Sequence, residues 1–237
     1  MNITAVILAG GLGTRLRSLV NDLPKPMAPI LGRPFLEYLM DYWISQGVND
    51  FILSVGYKYQ DIVSHFGNNY KTAKISYVIE ESLLGTGGGV ILAVEKIGMN
   101  KQFLLLNGDT FFKVDLTMLW KFHQKKKSEL TFSLFKNNDT SRYMGMNINK
   151  DGSILHLKSG IINENSHVNG GVYLIESNLF SDGNFVSGNK YSFESDLIPY
   201  FLSKNRQLNG VNFDSSFIDI GVPDDYLKSF QLFKTKH

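Results

Sequence analysis

The stretch that decides the fold is Ile3-Thr4-Ala5-Val6-Ile7-Leu8-Ala9-Gly10-Gly11-Leu12-Gly13-Thr14-Arg15-Leu16. The apolar run Ile3–Leu8 breaks off into glycines, which reads as a strand buried on both faces, as in a parallel sheet. A glycine-rich turn at the carboxyl end of the first parallel strand is where α/β sheets bind ligands. Glycine lets backbone N–H groups approach phosphate oxygens with no Cβ in the way. Two familiar phosphate loops are excluded. The G-x-x-x-x-G-K-[ST] pattern is absent, and Gly11-Leu12-Gly13 lacks the third glycine of a dinucleotide fingerprint because position 16 is Leu16. Thr14 and Arg15 place a hydroxyl and a guanidinium directly after the glycines, a pairing that suits a polyphosphate.

Outward from this loop, short apolar runs alternate with amphipathic ones. Phe51–Val55, Ile75–Ile79 and Phe103–Asn107 read as buried strands. Pro34–Ser45, Lys58–Phe66, Thr86–Ile97 and Asp115–Lys126 read as helices, with Pro34 suiting a first helical turn. The alternation predicts βαβ units in an α/β fold, Rossmann-like, three layers α/β/α, with a mostly parallel mixed sheet. The second half is less regular. Leu130–Phe135, Val172–Ile175 and Ser216–Ile220 read as strands and Phe193–Ser203 as a helix. No linker composition separates the halves, so residues 1–237 are expected to form one domain. Four of the six prolines fall at Pro24, Pro26, Pro29 and Pro34, a stiff segment that encloses Lys25.

Composition sets the outer limits. Of 237 residues, 43% are hydrophobic and 19% charged, as in a folded soluble protein. The net charge of +2 gives no footprint for nucleic acid. With no cysteine, disulfides, thiolate metal sites and cysteine nucleophiles are all absent, which fits a cytoplasmic location. No apolar run approaches the ~20 residues of a membrane helix. The apolar N-terminus lacks a basic lead and reads as a strand rather than a signal peptide. The five histidines have no metal-ligand spacing.

Gly-Gly-x-Gly-Thr-Arg-Leu followed by Leu23-Pro24-Lys25-Pro26-Met27 resembles the sugar-1-phosphate nucleotidyltransferases, which pass a nucleoside monophosphate from an NTP to a sugar phosphate and release pyrophosphate. The resemblance continues through Leu84-Gly85-Thr86-Gly87-Gly88, Asn107-Gly108-Asp109, Asn169-Gly170-Gly171-Val172-Tyr173, Phe193-Glu194 and Asp219-Ile220-Gly221-Val222-Pro223. These motifs keep the family's order over nearly the whole chain. Within the family, Leu23 to Leu39 is most similar to guanylyltransferases acting on D-glycero-α-D-manno-heptose 1-phosphate. The resemblance thus implies GTP and that sugar phosphate as substrates, a GDP-heptose product for surface polysaccharide, and no membrane or nucleic-acid partner. Homo-oligomerisation stays open. So do mannose 1-phosphate with GTP, and glucose 1-phosphate with UTP or dTTP. A glycosyltransferase would usually carry an Asp-x-Asp motif, which is absent. A non-catalytic nucleotide-binding regulator is the remaining alternative.

The resemblance also implies roles. Leu8, Gly10, Gly11, Gly13 and Thr14 would surround the nucleotide with Gly85, Thr86 and Gly108, and Arg15 would bind the leaving phosphates. Lys25 would bridge the α-phosphate and the sugar phosphate. Asp109 and Asp219 would hold one Mg²⁺, a cation that normally takes few protein ligands beside phosphate and water. Asp109, Arg15 and Lys25 are the expected catalytic groups. Asn169, Gly170, Glu194, Lys158 and Gly145 match sugar-side positions, with Gly170 leaving room for the ring. The sequence Arg142-Tyr143-Met144-Gly145 departs from the family's Arg-Tyr-Gly, which places an unusual sugar among the expectations. Glu80 lies five residues before Gly85, where relatives using uracil or thymine tend to have glutamine. Guanine offers two parallel donors, N1–H and N2–H₂, and an ionised carboxylate accepts both, so Glu80 favours guanine. Neighbouring Glu81 is the competing ligand.

Overall fold

The computed structural model describes the backbone of residues 3–13, 16, 19–20, 23–136, 145–158 and 167–234, and all their side chains except those of 156–158. Strand β1 (Thr4–Ala9) enters the glycine loop, as expected. A short ladder, β2 (Pro29–Ile30) with β3 (Arg33–Pro34), precedes helix α1 (Phe35–Ser45). Pro34 is therefore not in the first helical turn. Its φ of −55° and ψ of 140° are extended, and it pairs with Pro29 before the helix starts.

The alternation then runs β4 (Asp50–Val55), α2 (Tyr59–Phe66), β5 (Asn69–Tyr70), β6 (Ala73–Ile79), α3 (Gly85–Ile97), β7 (Gln102–Asn107), β8 (Thr110–Phe112) and α4 (Leu116–Lys126). Asp115 caps α4 by accepting from Met118 N at 2.8 Å, a standard way to satisfy a free helix donor. Strands β9 (Leu130–Lys136), β10 (Gly145–Ile148), β11 (Ile154–Lys158) and β12 (His167–Glu176) follow. The chain closes with α5 (Ile198–Ser203), β13 (Leu208–Asn212), β14 (Phe217–Asp219) and α6 (Pro223–Lys234).

The central sheet runs β11-β10-β12-β7-β1-β4-β6-β5, with β9 and β13 joined through β12. Strands β7, β1, β4 and β6 are mutually parallel, and β12 is antiparallel to β7. Side chains of β1 alternate between two cores. Ala5, Ile7 and Ala9 face α1, α4 and α6, while Val6 and Leu8 face α3 and α5. That is the expected three-layer, Rossmann-like α/β/α architecture, with a mixed, mostly parallel sheet.

Two irregularities place the chemistry. Strand β12 pairs with β10 at its start and with β7 at its end, and its register against β9 shifts between Asn169 and Tyr173. The shift sets Gly170 and Gly171 close against Phe112, Asn107 and Thr110, just beyond the carboxyl end of β7. The run Phe193–Ser203 is also not one uniform helix. Phe193–Leu197 forms a wide π-helical turn, started by Ser192 accepting from Ser195 N, and α5 begins only at Ile198. Such turns often sit at functional sites.

Candidate active site

The carboxyl ends of β1 and β7 and the start of α3 enclose a cavity of about 390 Å³. Leu8, Gly10, Gly11, Lys25, Glu80, Gly85, Thr86, Gly108 and Asp109 line it, all of them positions singled out in the sequence. Leu12, Pro26, Leu83, Asn107 and Lys190 line it as well. Thr14 and Arg15 lie outside the described residues, as do Arg142, Tyr143 and Met144.

The glycines earn their place by close approach. A Cβ on Gly108 would lie 2.4 Å from the carbonyl oxygen of Leu8, which accepts the Gly108 N–H at 3.0 Å. Strands β1 and β7 are thereby clamped at the cavity mouth. Gly11 faces open space, whereas Gly13 has a φ of +59° and its Cβ would meet Lys25 at 2.9 Å. The glycines of α3 serve a different neighbour. The segment Asn189–Ser192 crosses them, and Gly87 N donates to the Tyr191 carbonyl at 2.9 Å. Cβ atoms on Gly85 and Gly88 would lie 2.5 Å from Tyr191 O and 2.8 Å from Asn189 O. This crossing brings Lys190 to the cavity rim, a placement with no signal in the local sequence.

Lys25 sits on a short 3-10 turn, Lys25–Met27, inside the proline segment. The β2–β3 ladder and a hydrogen bond from Tyr226 Oη to Pro29 O pin that segment. The Lys25 ammonium pairs directly with Asp109 and lies 3.9 Å from Asp219 Oδ1. The two aspartates meet because β8 and β14 pair: Asp219 is opposite Thr110, and Ile220 N donates to Asp109 O at 3.0 Å. Asp219 Oδ1 also accepts from Gly221 N at 2.7 Å. Two carboxylates 110 residues apart thus converge on one cationic atom. Among the described residues no group of three or more His, Cys, Asp or Glu side chains could hold a metal alone. A two-carboxylate set nonetheless suits a hard cation that takes its other ligands from phosphates and water. Beside it, Asn107 Oδ1 and Thr110 Oγ1 are buried with no hydrogen-bond partner among the described residues. Buried polar atoms are rarely left so, and their position beside Asp109 suits a site completed by ligand.

Glu80 lines the same cavity. Its Oε1 accepts from Ser54 Oγ at 3.1 Å and its Oε2 from Leu84 N at 3.1 Å. Burial pushes its carboxyl pKa up, with both hydrogen bonds opposing. Glu81 is exposed and does not line the cavity.

Asn169 and Glu194 belong to a network of their own between β12, α3 and the Phe193–Leu197 turn. Asn169 Nδ2 donates to Tyr173 Oη at 2.7 Å, and Tyr173 Oη lies 3.5 Å from Glu194 Oε1. Tyr173 is fully buried, which pushes its pKa well above the usual tyrosine value. Thr86 links the two halves, accepting from Phe193 N at 2.8 Å and donating to Glu194 Oε2 at 3.2 Å. Gly145 pairs with Val168 and Lys158 in the sheet, and the Lys158 side chain lies outside the described residues. The room at Gly170 is taken by protein. Its Cβ would lie 2.3 Å from Phe112 Cδ1, leaving only its backbone to face a sugar. Gly170→Ala is expected to destabilise the protein by about 1–3 kcal/mol through overpacking, measurable by urea denaturation.

Comparison with known proteins adds the following. The family model described as "Nucleotidyl transferase" matches residues 4–236. The D-glycero-alpha-D-manno-heptose 1-phosphate guanylyltransferase of Aneurinibacillus thermoaerophilus is 42% identical over 225 residues, covering 95% of this chain and 96% of its own. The enzyme of the same name from Campylobacter jejuni is 39% identical, covering 94% and 96%. The crystal structure of HddC from Yersinia pseudotuberculosis complexed with GMP-PN superposes with a TM-score of 0.85 at 34% identity, covering 98% of this chain and 99% of that one.

Proposed function

The chain belongs to the nucleotidyl transferase family, and on that premise we propose that it transfers GMP from GTP to D-glycero-α-D-manno-heptose 1-phosphate. The products are GDP-D-glycero-α-D-manno-heptose and pyrophosphate. The observation that carries the reading is a single cavity lined by the braced Glu80 carboxylate and by the Lys25–Asp109 pair, with Asp219 reaching the same ammonium from outside the lining. Similarity to the two heptose 1-phosphate guanylyltransferases over nearly the full length supports both substrates. No helix among the described residues is long and apolar enough to cross a membrane. We propose further that the chain acts as one domain in the cytoplasm, where GTP and the sugar phosphate are available, in surface-polysaccharide synthesis.

The reaction joins polyanions, so the protein's task is positioning and charge neutralisation. Enzymes of this family generally require a divalent metal, and Asp109 and Asp219 are the residues that would hold Mg²⁺. When bound, the ion would neutralise phosphate charge. Lys25 orients the α-phosphate and the attacking sugar phosphate. Gly10, Gly11 and Gly108 let the nucleotide approach the backbone, and Arg15 with Thr14 serves the leaving phosphates. Glu80 accepts from guanine. Asn169 donates to sugar hydroxyls and Glu194 accepts from them, the two being tied through Tyr173, with Gly170, Gly145 and Lys158 beside them.

The base assignment is tested by pyrophosphate release from ATP, CTP, GTP, UTP and dTTP with the heptose phosphate. Wild type is expected to turn over GTP best. Glu80→Gln should lower kcat/KM for GTP by about 10- to 100-fold, the cost of mispairing a charged acceptor. Because burial raises the Glu80 pKa, its carboxylate protonates earlier as pH falls. Wild-type kcat/KM for GTP should therefore fall off at a pH above the usual glutamate range, and Glu80→Gln should lose that acid limb. A GTP preference unchanged in Glu80→Gln would contradict the assignment.

A further inference from the structure

Ser54 interrupts the apolar run Phe51–Val55, and it is fully buried. On the face of β4 that meets α3, Ile52 belongs to the apolar core. Two residues on, the same face presents a hydroxyl instead. That hydroxyl donates to Glu80 Oε1 at 3.1 Å.

The surroundings are built around this contact. A Cβ on Gly89 of α3 would lie 2.7 Å from Ser54 Oγ and 3.0 Å from Glu80 Oε1. A Cβ on Gly10 would lie 2.5 Å from the same Glu80 oxygen. Two glycines from separate elements therefore leave open the space that the serine–carboxylate pair fills. An ionised carboxylate has about four lone-pair sites. Ser54 takes one on Oε1 and the Leu84 N–H takes one on Oε2. One site on each oxygen remains, which is what two parallel N–H donors require.

We propose that Ser54 is a specificity-determining positioning residue, holding the Glu80 carboxylate so that both of its oxygens face the N1–H and N2–H₂ edge of guanine. The proposal rests on guanine being the base bound, and it adds how Glu80 discriminates. Without the Ser54 hydroxyl, the Leu84 N–H is the one anchor left to the carboxylate among the described residues. The group can then rotate about its terminal torsion, and the second guanine donor loses its partner. A base with N1–H but no 2-amino group has less to lose.

The test compares GTP with ITP, which lacks the 2-amino group, in wild type, Ser54→Ala and the near-isosteric Ser54→Cys. Thermal unfolding of each variant is recorded alongside. Wild type should favour GTP over ITP by at least about 10-fold in kcat/KM, the worth of one charged hydrogen bond. Ser54→Ala should lower kcat/KM for GTP by about 10-fold, chiefly through KM. ITP should lose less, so the GTP/ITP ratio narrows. Ser54→Cys, with its weak S–H donor, should fall between. An unchanged GTP/ITP ratio in a folded Ser54→Ala that still turns over GTP would overturn the proposal while leaving the guanine reading intact. A wild-type enzyme that prefers another nucleotide would overturn both.

Discussion

Asp109→Asn is expected to lower kcat by about 10³-fold, with KM for GTP changed by less than about threefold. The side chain keeps its shape and can still meet Lys25, so neither the fold nor the base pocket is disturbed. What disappears is one of two negative charges that converge on the reacting end of the cavity. Loss of a preorganised electrostatic group in such a site costs about 10²- to 10³-fold, and loss of a cation ligand falls at the upper end. Steady-state pyrophosphate release at saturating substrates reads the effect. A decrease of less than about tenfold would show that Asp109 is a turn residue rather than part of the reacting cluster.

Lys25→Ala is expected to lower kcat by about 10²- to 10³-fold and to change the protein's response to Mg²⁺. In the free enzyme the Lys25 ammonium is a counter-ion shared by both aspartates, and its removal takes positive charge away from two neighbouring carboxylates. A divalent ion then becomes the available replacement. Addition of Mg²⁺ should raise the Tm of Lys25→Ala by more than it raises that of wild type. Arginine should not restore activity. A Cβ on Gly221 would lie only 2.0 Å from Lys25 Nζ, and one on Gly13 would lie 2.9 Å from Lys25 Cβ, so the channel is cut for a narrow stem and a compact head. Equal Tm shifts in wild type and Lys25→Ala would mean that the lysine does not share its carboxylates with the ion.

The parallel half of the fold was legible because each buried strand is a short, mostly apolar run and each helix carries an apolar stripe. Expected and observed bounds there agree to within two residues. The second half was harder for a physical reason. Strand β12 changes partner midway and shifts register at Gly170 and Gly171, so its apolar signal is complete only from Val172 onward. Strands β10, β11 and β13 are short or polar, as is the two-residue edge strand β5 in the first half, and helix α6 follows Pro223 with no apolar run to announce it. At the site, Leu8, Gly10, Gly11, Lys25, Gly108 and Asp109 could be named in advance because each lies in a short contiguous motif whose resemblance to the family implied its role. The reasons behind Gly85, Gly87 and Gly88 could not, since the atoms they accommodate belong to a segment about 100 residues away. Ser54 was overlooked for the opposite reason: one hydroxyl in an apolar strand gives a weak signal until Glu80 is seen against it.

On this account one cavity selects guanine and joins GMP to a heptose phosphate. The most direct measurement is pyrophosphate release with GTP, UTP and dTTP against heptose, mannose and glucose 1-phosphates, with the nucleotide sugar identified by mass. Turnover concentrated in GTP with D-glycero-α-D-manno-heptose 1-phosphate, and lost when Mg²⁺ is removed, is the predicted result. Preferred turnover of any other pair would contradict that account, and whether the nucleotide or the sugar had changed would show which substrate was misread.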